Sequence, residues 1–207
     1  MKERYRTVMK EATDEIVEKR SRFIASVKPV ETEEEAIEFL ESLKRKHWDA
    51  RHNVYAYVLE KDNIQRYSDA GEPAGTAGVP VLDYIKKEGL SNIVVVVTRY
   101  FGGILLGTGG LVHAYSKAAK AGVQAAEPVE MVLCQKIDLF CDYNLLGKVQ
   151  SEIYRPYTQA GEVSYTDRVC VSVFVIVSEV DGFIKDLIDK TNGRISIEKG
   201  EVGYKKI

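Results

Sequence analysis

Neither sign of charge dominates this chain of 207 residues: Lys and Arg number 29 against 31 Asp and Glu, and the balance is 19 to 20 over residues 1–130 and 10 to 11 over the rest. A protein that coats nucleic acid through many phosphate contacts carries an excess of basic residues, so any such binding here has to come from a local patch. Cysteine is scarce. The three thiols, Cys134, Cys141 and Cys170, are odd in number and lack Cys-x-x-Cys spacing, which favours buried thiols over a disulfide frame or a zinc site. No apolar run reaches the roughly 18 residues of a membrane span, and the start MKERYRTVMKEATDE has no apolar core of the export type. A cytoplasmic protein without membrane contact is expected. Gly-x-x-x-x-Gly-Lys-Ser/Thr and Gly-x-Ser-x-Gly are both absent, so neither a standard ATP loop nor a serine-hydrolase elbow is predicted.

What is present centres on residues 93–111, IVVVVTRYFGGILLGTGGL. The unbroken β-branched run at its start is the pattern of a strand buried on both faces, which places it at the centre of a sheet. Gly102, Gly103, Gly107, Gly109 and Gly110 follow, just ahead of an Ala-rich helix predicted over residues 111–127. Successive backbone N–H groups at such a junction form a nest for phosphate or carboxylate, and the same glycines also serve tight turns and close packing. Between strand and glycines stand Thr98, Arg99, Tyr100 and Phe101. Arg99 at a sheet end offers a bidentate contact to an anion, with a structural ion pair to Asp69 or Glu72 as the alternative.

Upstream, residues 13–28 alternate well enough for one half-exposed strand or a hairpin of two. Thr32 and Glu35 form a capping box ahead of Ala36, Phe39, Leu40 and Leu43, which repeat on one helical face. Residues 53–60 and 64–67 read as hairpin strands. Residues 68–78, SDAGEPAGTAG, are too rich in glycine and small residues for regular structure, and a short helix with Pro80 in its first turn and Gly89 at its end follows. His47 and His52, with Asp49, Asp69 and Glu72, in and before this loop are the residue types of acid–base chemistry or of a metal site, without a diagnostic spacing, and His52, Asp69, Glu72 and Thr76 are also candidates to touch a ligand. From residue 132 the order is strand 132–140, helix 143–158, strands 162–166 and 169–177, helix 179–191 and strand 194–204. That is βαββαβ, the ferredoxin-like unit, so the fold class expected is α+β in two domains, residues 1–130 and 131–207.

These motifs, namely residues 19–23 (KRSRF), 50–52 (ARH), 67–78 (YSDAGEPAGTAG), 97–103 (VTRYFGG) and 106–111 (LGTGGL), resemble those of the YigZ/YvyE/IMPACT family. The resemblance covers about residues 1–130 with an IMPACT-type domain, and the remainder is similar to the smaller C-terminal domain of bacterial members. It implies an N-terminal fold like domain 2 of ribosomal protein S5 and a C-terminal domain like a ferredoxin-like domain of elongation factor G. It also implies a role in translation, since eukaryotic members compete for the activator of a stress-responsive kinase. The expectation is a translation-associated binding protein that contacts RNA or a ribosome-associated factor through the Arg99 and glycine-rich face, with no cofactor and no metal. The alternative is an enzyme for a small phosphorylated or carboxylated substrate, with Asp69, Glu72 or His52 as acid or base.

Overall fold

The computed structural model describes residues 2–206. Two compact units emerge, Tyr5–Val129 and a second from Glu130 onward that also takes in the N-terminal residues up to Arg4. In the first unit a sheet of five antiparallel strands runs in the order β2-β3-β6-β4-β5, with β2 at Ala12–Glu18, β3 at Ser21–Pro29, β4 at His52–Leu59, β5 at Ile64–Ser68 and β6 at Ile93–Tyr100. The β-branched run is the middle strand. Ile93, Val95 and Val97 point to a core shared with α2 (Gly78–Lys87) and α3 (Gly107–Ala125), while Val94 and Val96 point to α1 (Glu33–Lys46). Burial on both sides is why alternation is missing from its sequence. Each of those side chains contributes about 1.5 to 3 kcal/mol to holding helices on sheet.

Local chemistry sets the helix ends. The Thr32 hydroxyl accepts from the Glu35 N–H at 3.2 Å, and the Glu35 carboxylate reaches back to the Glu31 N–H at 2.7 Å, one residue further than in the usual reciprocal cap. At the end of α2, Gly89 takes φ 65° and donates to the Lys86 carbonyl while Leu90 donates to that of Ile85, closing the helix with left-handed glycine. α3 begins at Gly107 rather than at residue 111, so Gly107, Gly109 and Gly110 lie inside its first turn. The helix can approach the sheet because Gly122 has no side chain: a Cβ there would stand 2.8 Å from that of Ala25 on β3.

β1 (Arg4–Val8) adds a strand that the sequence pattern does not signal, since its short, charge-rich sequence gives no apolar period, and Ser91 donates to its Arg6 carbonyl at 2.8 Å. The second unit follows as β7 (Pro128–Cys141), α4 (Leu146–Ile153), β8 (Thr158–Tyr165), β9 (Val169–Ile176), α5 (Val180–Thr191) and β10 (Ser196–Lys206), with antiparallel neighbours in the order β10-β7-β9-β8. Pro128 opens its first strand, four residues earlier than the periodicity suggests. Val169, Val171, Val173 and Val175 of β9 face Val149, Ile153, Phe183 and Leu187 of the two helices. The protein is thus α+β with two sheets. The three thiols are free, and burial pushes those of Cys134 and Cys141 up, away from reactivity.

Candidate functional site

At the ends of β4 and β6 in the first unit, an open cleft of about 730 Å³ is lined by Asp49, Arg51, His52, Arg99, Tyr100, Phe101 and Leu105. The strand register brings its two walls together, because His52 at the start of β4 pairs with Arg99 near the end of β6. Residues 68–78 close beside them: the Ala70 carbonyl oxygen lies 2.9 Å from His52 Nδ1, so that nitrogen donates to it.

Arg99 is a scaffold residue. Only 6 % exposed, it donates from Nη1 to Glu72 Oε1 at 2.6 Å, and the same oxygen accepts from the Tyr115 hydroxyl of α3 at 2.8 Å. Its guanidinium carbon sits 5.4 Å from the ring centre of Phe23 and 5.6 Å from that of Phe101. The ion-pair alternative of the sequence is therefore what the structure holds, and the freely available bidentate donor is not. Burial, with the Glu72 carboxylate alongside, pushes the Tyr115 hydroxyl far above its ordinary range.

Asp69 is equally committed. Its Oδ1 accepts from the N–H groups of Ala77 and Gly78, at 3.0 and 2.8 Å, and its Oδ2 from that of Gly75 at 2.8 Å. A carboxylate at the start of α2 supplies the cap that Ala77 cannot. Thr76 is buried, and its hydroxyl donates to the Pro73 carbonyl at 2.7 Å. Asp69, Glu72 and Thr76 hold the loop in place, and among the described residues no group of His, Cys, Asp and Glu is arranged to hold a metal ion.

The cleft wall has its own relay. The Tyr100 hydroxyl donates to Asp49 Oδ1 at 2.9 Å and accepts from His47 Nδ1 at 3.0 Å. Burial and then Lys46 keep His47 below the ordinary imidazole range, so it stays neutral and donates to the tyrosine. Beyond that relay the surface turns apolar: Phe101 is 56 % exposed, Leu105 83 %, and Trp48, between His47 and Asp49 in the chain, 83 %. Arg51 is exposed and has no ion-pair partner among the described residues.

The glycines divide by task. A Cβ on Gly102 would fall 2.0 Å from the Arg20 carbonyl carbon, so this position exists for backbone contact. Gly103 and Gly107 have φ 84° and 74°, a left-handed conformation that favours glycine. Gly109 and Gly110 lie in the first turn of α3, which has neither a side-chain cap nor an acidic residue. Tyr115 and Leu105 are the site residues that sequence reasoning missed. Tyr115 had no signal beyond its place in an Ala-rich helix.

Residues 19–123, which hold the whole cleft, match the Impact N-terminal domain, and residues 139–194 match a domain of unknown function, DUF1949. The chain belongs to the IMPACT family. Among its relatives, IMPACT family member YvyE of Bacillus subtilis is 42 % identical over 97 % of this chain and 93 % of its own. IMPACT family member YigZ of Escherichia coli is 34 % identical over 86 % of this chain and 89 % of its own. The Protein IMPACT of Mus musculus is 36 % identical but is matched over only 47 % of this chain and 32 % of its own. A solved structure described as "Crystal structure of an hypothetical protein" aligns with a TM-score of 0.61 at 31 % identity, covering 97 % of this chain and 99 % of that one. No helix among the described residues of this IMPACT family member is long and apolar enough to cross a membrane.

Proposed function

We propose that this IMPACT family member is a translation-associated binding protein that contacts RNA through the cleft face of its N-terminal unit. The observation that carries the reading is the exposed Phe101 and Leu105 beside Arg51, unpaired among the described residues, on an open cleft, with the exposed Trp48 next in the chain to Asp49 of its lining. Large apolar groups left in water beside a free guanidinium suit unstacked bases and a phosphate backbone. The titratable loop residues argue the same way by elimination, since Asp69 and Glu72 are consumed by the scaffold and His52 alone remains as a base. The translation context comes from the family resemblance. We also read the first unit as ribosomal protein S5 domain 2-like and residues 131–207 as a ferredoxin-like domain, a reading supported by the order β10-β7-β9-β8, in which the first and third strands of the unit are central.

Co-sedimentation with ribosomes at about 50 and 200 mM salt tests this. Wild type is expected in the pellet at the lower salt, with a shallow loss at the higher, because a near-neutral unit makes few phosphate contacts. Changing Arg51→Gln together with Phe101→Ser should weaken association by roughly tenfold or more, from one lost charge contact and one lost stacking platform. Wild type that stays in the supernatant at the lower salt contradicts the reading.

A further inference from the structure

We propose that the turn between β2 and β3, Lys19-Arg20, is a contact for the phosphate backbone of single-stranded RNA; this rests on the RNA reading above and adds a site outside the cleft walls. Glu18 pairs with Ser21, so the hairpin loop has two residues only. They sit at φ 45° and 65°. Left-handed backbone at both positions is the geometry that two-residue hairpins prefer, and Asn-Gly fills it with little strain whereas Lys and Arg do not. Local physics favours a different pair of side chains here. Where a sequence departs from local preference without a packing gain, function is the usual reason.

No packing gain is visible. Lys19 and Arg20 are exposed, and neither forms a hydrogen bond or an ion pair among the described residues. Arg22, two positions on, is the contrast: it is locked to Glu15 by two hydrogen bonds of 2.8 Å and is not available. The turn is also fixed in place, for Gly102 packs against the Arg20 carbonyl and donates to Ser21 Oγ at 3.1 Å. Since Arg22 pairs with Tyr100 across β3 and β6, the two free cations stand at the strand end that leads into Phe101. A pair of unpaired cations next to an exposed aromatic ring is complementary to RNA, which brings a phosphate and a base in every repeat. An acidic peptide would use the cations but leave the ring idle.

The test uses the full chain with Lys19→Asn and Arg20→Gly changed together, a labelled oligouridylate as probe, and anisotropy over a salt series, alongside a thermal melt. The double variant should melt about 3 °C higher, because left-handed strain is relieved. Its binding should be about tenfold weaker at low salt, and its plot of log K against log salt shallower by roughly 1.4, the value for two contacts to a single strand. A variant that melts higher and binds with unchanged affinity and slope overturns the turn contact while leaving the RNA reading intact. Wild type that binds polyglutamate as tightly as the oligouridylate also overturns it. If wild type binds no RNA at the lowest salt, both fall together.

Discussion

Glu72→Ala is expected to destabilise the N-terminal unit by about 3 to 5 kcal/mol, the range for removing one partner of a buried ion pair. Two groups are stranded by that change. Arg99, whose Nε already lacks a partner, would keep its charge in an almost dry site, and the Tyr115 hydroxyl would lose its acceptor. Leaving a buried polar group unsatisfied adds about 1 to 3 kcal/mol to such a loss, which is why the effect exceeds that of an exposed pair such as Arg4 with Glu130. Urea unfolding followed by circular dichroism measures it through the midpoint. Replacing both partners with apolar side chains, Glu72→Leu with Arg99→Met, should recover the charge part of the loss but not that of the Tyr115 hydroxyl, which still lacks its acceptor. A single-variant cost below about 1 kcal/mol would mean that Arg99 finds water or another partner.

Gly102→Ala is expected to cost about 3 kcal/mol or more, at the upper end of overpacking effects. The atoms that a methyl group would meet are all backbone: the Arg20 carbonyl carbon at 2.0 Å, its oxygen at 2.1 Å and the Ser21 nitrogen at 2.4 Å. None can swing aside as a side chain would, so the hairpin turn or the end of β6 has to move. The neighbouring Gly103→Ala has nothing within 4 Å and is strained only by its φ of 84°, so its cost should stay near 1 kcal/mol. Comparing the two melting curves separates close approach from backbone conformation. Similar losses at both positions would contradict the packing argument.

The fold was legible where a single local rule governs. Residues 93–97 announced a central strand, the capping box announced α1, and the alternating valines announced β9. Glycine lowers helix propensity, so the sequence pattern starts α3 at residue 111, yet tertiary packing extends the helix through Gly107, Gly109 and Gly110. In the sequence Asp69 stands out as a candidate acid, because capping rules look one to three residues ahead. Here the cap bridges to Ala77 and Gly78, eight and nine positions on, across a folded loop. The same distance effect hid the Glu72, Arg99 and Tyr115 cluster, in which the carboxylate is 27 residues from one partner and 43 from the other. Residue types showed that a polar cluster exists beside β6. Only the register of β4 against β6 shows which members are scaffold and which stand in water.

Trp48 is the only tryptophan in the chain, is exposed, and directly precedes Asp49 of the cleft lining, so its fluorescence is a single-site reporter beside the proposed RNA face. Titration of the intact protein with oligouridylate at low salt is the most direct test of the account. A saturable quench that reverses on adding salt, and that weakens by roughly tenfold or more when Arg51→Gln and Phe101→Ser are combined, is the predicted result. Trp48 emission that stays unchanged through the titration, while RNA is bound by the protein elsewhere or not at all, would contradict it.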